Sequence, residues 1–394
     1  MKAPERILKA LNHEEPDKVP AFEIVTNNSI LKHYNIPIGK GYRDGLRQLS
    51  KLGEKGNELI VKGYSNYEFV KNTLEKSHEF SRRAEIEIAL TLASLYPRKI
   101  LKEGDGIVDE YGRIMKQQVY TAKDGTETVV NEYFGGYFKD FDDYESWEQP
   151  DPYWEARLIN FKAGKEIQEE MNNEIISIPS LGALMECSWE GFGLENFSRI
   201  LAKPKQTRKI FDDRGKFTLE LVKLLAENDA ELVLLWDDYG FKNGLFMSPK
   251  NYRTYVFPWI KRICNAAHKQ NCKIILHSDG DLLEIFEDII NCGVDALNPI
   301  ESTTANPEYD IFKLNEKYGD KITFIGNLSP VMLAMGKISD IEAYAKKLIR
   351  ELGPNGGYIF SSGHSINPAV TVDRFESMQN IRRKYGNYPI NVPA

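Results

Sequence analysis

In "KIILHSDGDL" (273–282) an apolar run delivers His277 and Asp279 on either side of one residue, just before Gly280. Alternate residues at a strand end point the same way, so an imidazole and a carboxylate placed like this can converge. A second run, "YIFSSGHSINP" (358–368), ends in Gly363-His364, and a third, "ELVLLWD" (231–237), ends in Asp237-Asp238. Two imidazoles and a carboxylate suit Zn²⁺ and leave a position open for substrate or water, so His277, Asp279 and His364 form a candidate metal set. His277 would equally serve as a strand-end histidine donating to a neighbouring carbonyl. Either of Asp237 and Asp238 would serve as a helix cap, or their like charges would push one pKa up for acid work. With Glu186, which follows the run ending at Ser180, they are the candidate catalytic acids. Asn298, Glu301 and Asn327 close further runs, and with Trp189 and Tyr239 they are candidate substrate contacts. Asp109-Glu110, Asp142-Asp143 and Asp212-Asp213 read as turns or solvated faces.

The elements that must position these groups alternate along the second half. Strand-like runs lie at 174–180, 231–237, 273–277, 296–300, 322–326 and 358–361. Helical patterns lie at 196–201, 207–228, 249–270, 282–292, 311–317, 339–352 and 372–385. Continuous apolar strands separated by amphipathic helices indicate a parallel sheet buried on both faces. With "KVPAFEIV" (18–25) as a further strand, the expected fold is α/β, a (β/α)₈ barrel forming one domain over 1–394. An open doubly wound sheet would carry a glycine-rich phosphate turn after its first strand, and none is present. Barrels gather chemistry at the C-terminal ends of their strands, where the polar groups named above fall. The stretch 104–148 alternates polar and β-branched residues around "KDGTE", and predicts a small antiparallel insertion. Tyr133, Phe134, Tyr137 and Phe138 in that insertion, with Phe192 and Phe241 after strand ends, would wall an apolar pocket or simply pack.

The 394 residues carry 42% hydrophobic and 28% charged side chains, enough for a full core. A net charge of -7 with no basic block argues against nucleic acid as a partner. Cys187, Cys264, Cys272 and Cys292 form no CxxC pair, and reduced thiols are expected. The N-terminus reads as a short amphipathic helix, and no apolar run approaches about 18 residues, so a cytoplasmic protein with no membrane span is expected.

Taken together, "PERILKALNHEEPDKVPAF", "LHSDGDLLEIFEDIINCGVDALNPIE", "YGDKITFIGNLS" and "GGYIFSSGHSINPAV" resemble the uroporphyrinogen decarboxylase superfamily over nearly the whole chain, and the opening is similar to its methyltransferase-like branch. The resemblance implies a barrel with a cleft at its C-terminal end. Decarboxylases of the family carry an arginine-bearing motif after their first strand, which grips a porphyrinogen's carboxylates. Here "FEIVTNNSI" (22–30) contains no arginine, although His364 matches the decarboxylase Gly-His-Gly site. The corrinoid-dependent branch binds zinc through a His-x-Cys pair and a later Cys. Against that pattern His277 matches the His, Asp279 replaces the first Cys and His364 the second. A harder set suits an oxygen-bearing group rather than a thiol. The resemblance therefore implies zinc-dependent methyl transfer from a small methoxylated compound, an aromatic ether among the candidates, to a corrinoid (cobalamin) protein, with a homodimer as a further expectation. A cofactor-independent decarboxylase is the alternative, and a metal-free binding protein a third reading.

Overall fold

A computed structural model describes residues 1–38 and 42–393. Seven strands form one curled parallel sheet in chain order: Ile88–Leu92, Ile176–Gly182, Leu232–Trp236, Lys273–His277, Ala296–Asn298, Thr323–Leu328 and Tyr358–Ser362. Segment 20–25 bridges the two edges. Phe22 N donates to Phe360 O and Phe360 N to Pro20 O, while on the other side Glu87 N donates to Ala21 O.

Alternation along these strands divides the core. Phe22, Ile88, Ile176, Ile178, Leu232, Leu234, Ile275, Ala296, Ile325 and Ile359 pack as one buried cluster inside the curl. Their neighbours Val233, Leu235, Ile274, Leu276, Leu297 and Phe324 belong to the larger cluster beneath the surrounding helices. Aliphatic side chains on both faces explain why these segments read as unbroken apolar runs. The helix Ala3–Leu11 sends Ile7, Ala10 and Leu11 into the inner cluster and plugs the N-terminal end.

The expected edges move by a few residues. The run at 174–180 forms a strand at Ile176–Gly182, and 249–270 divides into Pro249–Asn251, a π-helical turn at Tyr252–Val256 and Phe257–His268. The insertion starts and ends earlier than 104–148 suggested: four antiparallel strands cover Pro97–Ile100, Gly106–Asp109, Arg113–Thr121 and Glu127–Gly136, and a helix occupies Phe141–Ser146. Pro97 opens its first strand, a position where the missing N–H costs nothing. The 18–25 segment forms single bridges rather than a continuous strand. The strand Ile88–Leu92 and the helices Glu54–Tyr64, Tyr67–Ala84 and Glu155–Glu170 had no counterpart in the sequence reading. Asp109 and Glu110 are buried, not solvated. Glu110 meets Arg157 at 2.7 Å with both side chains fully enclosed, and Asp109 holds Arg113. All four cysteines are buried and free, and no described helix is long and apolar enough to cross a membrane.

A candidate metal centre at the C-terminal rim

Register builds the site. His277 lies opposite Trp236 on one side and Asn298 on the other, so the three share one inward row above Leu234, Ile275 and Ala296. The Trp236 and His277 rings meet edge-on with centroids 4.6 Å apart. Asn298 Nδ2 donates to Ile325 O at 3.3 Å, which leaves Oδ1 as the acceptor facing His277 Nδ1 at 2.7 Å. That contact puts the His277 proton on Nδ1 and leaves Nε2 with a free lone pair, the tautomer of a metal-ligating histidine. Burial lowers the His277 pKa and favours the neutral ring.

Asp279 stands beside that lone pair, its Oδ1 4.0 Å from Nε2, buried and without a hydrogen-bond partner. Asp238 accepts from Asp279 N at 2.8 Å, and the ligand atoms of Asp238, His277 and Asp279 all lie within 4.8 Å of one another. Donors about 2.1 Å from a zinc ion stand about 3.4 Å apart in a tetrahedron, so small side-chain rotations would close this set. The orphaned Asp279 oxygen fits a cation. His364 joins differently from expectation: its half-exposed ring pairs with the other Asp279 oxygen at 3.2 Å instead of converging with the trio. That contact raises the His364 pKa. At Asp279 burial pulls upward, but the His364 contact and both imidazoles outweigh it, and its pKa falls.

A second layer of acids surrounds this trio. Asp237 alternates outward, and its Oδ1 accepts from Met185 N at 2.6 Å and Glu186 N at 3.1 Å. It thus caps the helix Met185–Phe192, the one after the preceding strand rather than its own, and burial lifts its pKa to about 7. Glu186 in that first turn lies 3.2 Å from Arg113 Nη1 and 3.5 Å from Asp238 N. Burial, and then the charges of Asp237 and Asp279, raise its pKa against the pull of Arg113. Glu190, one turn on, meets the same Arg113 nitrogen at 2.8 Å, and burial pushes it up to about 8. Asp238 rises too, through burial and its acidic neighbours. Arg113 comes from the antiparallel insertion, where Asp109 fixes its backbone N at 3.0 Å and its Nε at 2.7 Å. The insertion fits tightly on this helix: a Cβ at Gly136 would stand 2.2 Å from Gly193 N.

The candidate substrate contacts divide. Glu301 Oε2 accepts from Gly280 N at 2.8 Å and shapes the turn beyond Asp279, while Thr303 holds its other oxygen. Asn327 spends its amide on Ile300 O and the Tyr344 hydroxyl. Tyr239 is fully buried against Tyr252 and Phe257. Trp189 is half-exposed beside Tyr133 and Phe246. Asp109, Arg113 and Glu190 were missed by the sequence reading. The only signal for them was the lone arginine of 104–148, four residues after an aspartate.

A family model described as uroporphyrinogen decarboxylase (URO-D) matches residues 123–385. The uroporphyrinogen decarboxylase of Thioalkalivibrio sulfidiphilus is 23% identical over 257 residues, covering 60% of this chain and 67% of that protein. That of Geobacter sulfurreducens is 26% identical over 187 residues, 46% of this chain and 51% of its own length. Among solved structures, a methyltransferase from Methanosarcina mazei superposes with a TM-score of 0.65 over 98% of this chain and 99% of that one, at 17% identity. The fold is shared end to end.

Proposed function

From the premise that this chain belongs to the uroporphyrinogen decarboxylase family, we propose that it is a zinc-dependent methyltransferase moving a methyl group from a small methoxylated substrate to a corrinoid protein. In this reading segment 20–25 is the eighth stave of a (β/α)₈ barrel, and the cleft at the C-terminal rim is the active site. The observation that carries it is the convergence of Asp238, Asp279 and a His277 whose Nε2 lone pair is aimed by Asn298. Those three residues would hold the ion, with His364 as a reserve ligand through its contact with Asp279. A divalent ion there supplies Lewis acidity toward an ether oxygen. The chain's own part is proton supply. Glu186, whose pKa is raised, donates to the departing alkoxide or phenoxide as the methyl leaves. Asp237 holds the helix that presents Glu186, and Arg113 keeps Glu186 oriented.

Decarboxylation of a porphyrinogen is the second reading, favoured by the names of the curated relatives. A substrate with many carboxylates needs free cations. Segment 22–30 offers no arginine, and Arg113 is already shared among Asp109, Glu186 and Glu190. Elemental analysis of wild type beside a His277→Ala, Asp279→Ala double variant tests the proposal. About one zinc per chain in wild type, lost in a folded variant, is expected. Methyl-cobalt absorbance from cob(I)alamin and methoxylated compounds should follow the zinc content. Porphyrinogen decarboxylation by zinc-free protein would reverse the order of the two readings.

A further inference from the structure

The edge strand of the antiparallel insertion carries a bulge that places an arginine in a cleft. Pro97 lies opposite Asp109 and Lys99 opposite Val108, so Arg98 is the extra residue with no partner across the ladder. A bulge re-aims a side chain, and this one explains how Arg98 and Lys99 line the same cleft although strand neighbours normally face apart. Asn57, on the helix Glu54–Tyr64, fixes the strand by accepting from Ile100 N at 2.8 Å. The same helix contributes Lys62, and the segment leading into the helix Glu155–Glu170 contributes Trp147 and Trp154. The cleft has a volume of about 620 Å³, within the range of small-molecule sites. None of its lining residues belongs to the metal centre at the rim.

The polar groups of this cleft are unspent. Arg98 is half-buried, yet among the described residues its guanidinium makes no ion pair or hydrogen bond, and none of its nitrogens is enclosed. Lys62 is likewise without a counter-ion among the described residues. Lys99 Nζ stands 4.9 Å from the centroid of the Trp147 ring and 3.0 Å from the Tyr137 hydroxyl, again with no carboxylate partner. Trp154 packs edge-on against Tyr96 and keeps its Nε1 open and without an acceptor among the described residues. A planar guanidinium fork matches a carboxylate, and indoles beside it suit a flat ring.

Charge narrows the class of ligand. Glu58, Glu148 and Glu155 also line the cleft, all three exposed and none paired with these cations. Three carboxylates thus offset three cations, and no surplus remains to hold a polyanion. One negative charge can pair locally with Arg98, whereas a phosphate dianion would add repulsion from the acids.

We propose that this cleft binds a small aromatic monocarboxylate, its carboxylate taken by the Arg98 fork with Lys62 and Lys99 beside it and its ring laid against Trp147 and Trp154. The site goes beyond the methyl-transfer reading, which concerns the rim, and stands without it.

Titration calorimetry with benzoate, benzyl alcohol, cyclohexanecarboxylate and phenyl phosphate tests each element. Benzoate is expected to bind roughly tenfold or more tightly than benzyl alcohol, which has the ring without the charge. It should bind roughly threefold or more tightly than cyclohexanecarboxylate, which has the charge without the flat ring. Phenyl phosphate should bind more weakly than benzoate. Arg98→Gln should abolish the preference over benzyl alcohol, and it removes no contact within the protein that folding could depend on. Trp154→Leu should narrow the margin over cyclohexanecarboxylate. The His277→Ala, Asp279→Ala double variant, altered only at the rim, should bind benzoate as wild type does. Absence of benzoate binding at millimolar concentration, equal affinity for benzyl alcohol, or undiminished benzoate binding by Arg98→Gln overturns the proposal. Loss of benzoate binding in the folded double variant would place the ligand at the rim and overturn it too, and tighter binding of phenyl phosphate would overturn the assignment to a carboxylate.

Discussion

Asn298 determines which nitrogen of His277 faces the carboxylates, and it does so from the adjacent strand through a 2.7 Å contact. Outer partners of this kind are commonly worth 10–100-fold in metal affinity. Asn298→Leu should therefore weaken zinc binding by roughly that factor in a folded protein, while Asn298→Asp, which keeps an acceptor, should not. Competition with a chromophoric chelator measures it, and equal affinities for wild type and Asn298→Leu would remove Asn298 from the site. At this scale the His-x-Asp pair was legible because strand alternation alone places both side chains together. Asn298 was legible as a rim residue but not as a partner of His277, because its role depends on a register no single strand reveals. Arg113 and Glu190 were not legible, since the insertion that brings them together folds back across more than seventy residues of chain.

Between elements, buried polar contacts weld helices to the sheet. His78, on the helix Tyr67–Ala84, lies fully buried with Nε2 2.8 Å from Ser177 Oγ and Nδ1 3.0 Å from Leu74 O. Burial drops its pKa from 6.5 to about 4. A folded-state pKa below the unfolded one means that the unfolded chain takes up the proton first. Stability is then complete above pH 6.5 and is lost as pH falls toward 4, by about 3 kcal/mol in all. Urea midpoints at pH 7 and pH 4.5 should diverge in wild type and draw together in His78→Gln, and parallel behaviour of the two proteins would contradict this origin. Arg157 makes a heavier weld. It pairs with Glu110 and also donates to Ala93 O at 2.8 Å and Asp151 O at 2.7 Å. Arg157→Ala leaves Glu110 charged and enclosed, at a cost of about 3–5 kcal/mol in denaturant titrations. Neither weld was visible in sequence. Glu110 reads as half of an acidic pair on a turn, and a helix carrying His78 or Arg157 shows no period that distinguishes a buried polar residue from an exposed one.

Across the whole molecule the two ends of the sheet carry different burdens. The C-terminal rim crowds its acids around Arg113 and His364, whereas at the N-terminal end carboxylates and guanidinium groups are matched. Arg6 grips Asp17 with two nitrogens at 2.6 and 2.8 Å and reaches Glu87 at 3.3 Å. Glu87, only 2% exposed, also accepts from Ala21 N at 2.7 Å and faces Arg382 at 3.9 Å. One carboxylate thus links the first helix, the bridging segment 20–25, the first parallel strand and the last helix, Val372–Tyr385. The alternation of strands and helices was enough to announce this architecture, yet the seam was not foreseeable, because it joins residues nearly three hundred positions apart. Ends of a barrel opposite the catalytic rim serve stability, and changes at well-separated sites are nearly additive. Glu87→Leu should therefore cost about 3–5 kcal/mol by leaving the enclosed Arg382 without its carboxylate, while the zinc affinity of the protein that remains folded stays within about twofold of wild type. Zinc at a hundredfold excess over its dissociation constant should return about 2.7 kcal/mol to wild type and variant alike. If Glu87→Leu instead loses its zinc while its unfolding midpoint holds, seam and rim are one coupled unit, and the division between a stabilising end and a reactive end falls.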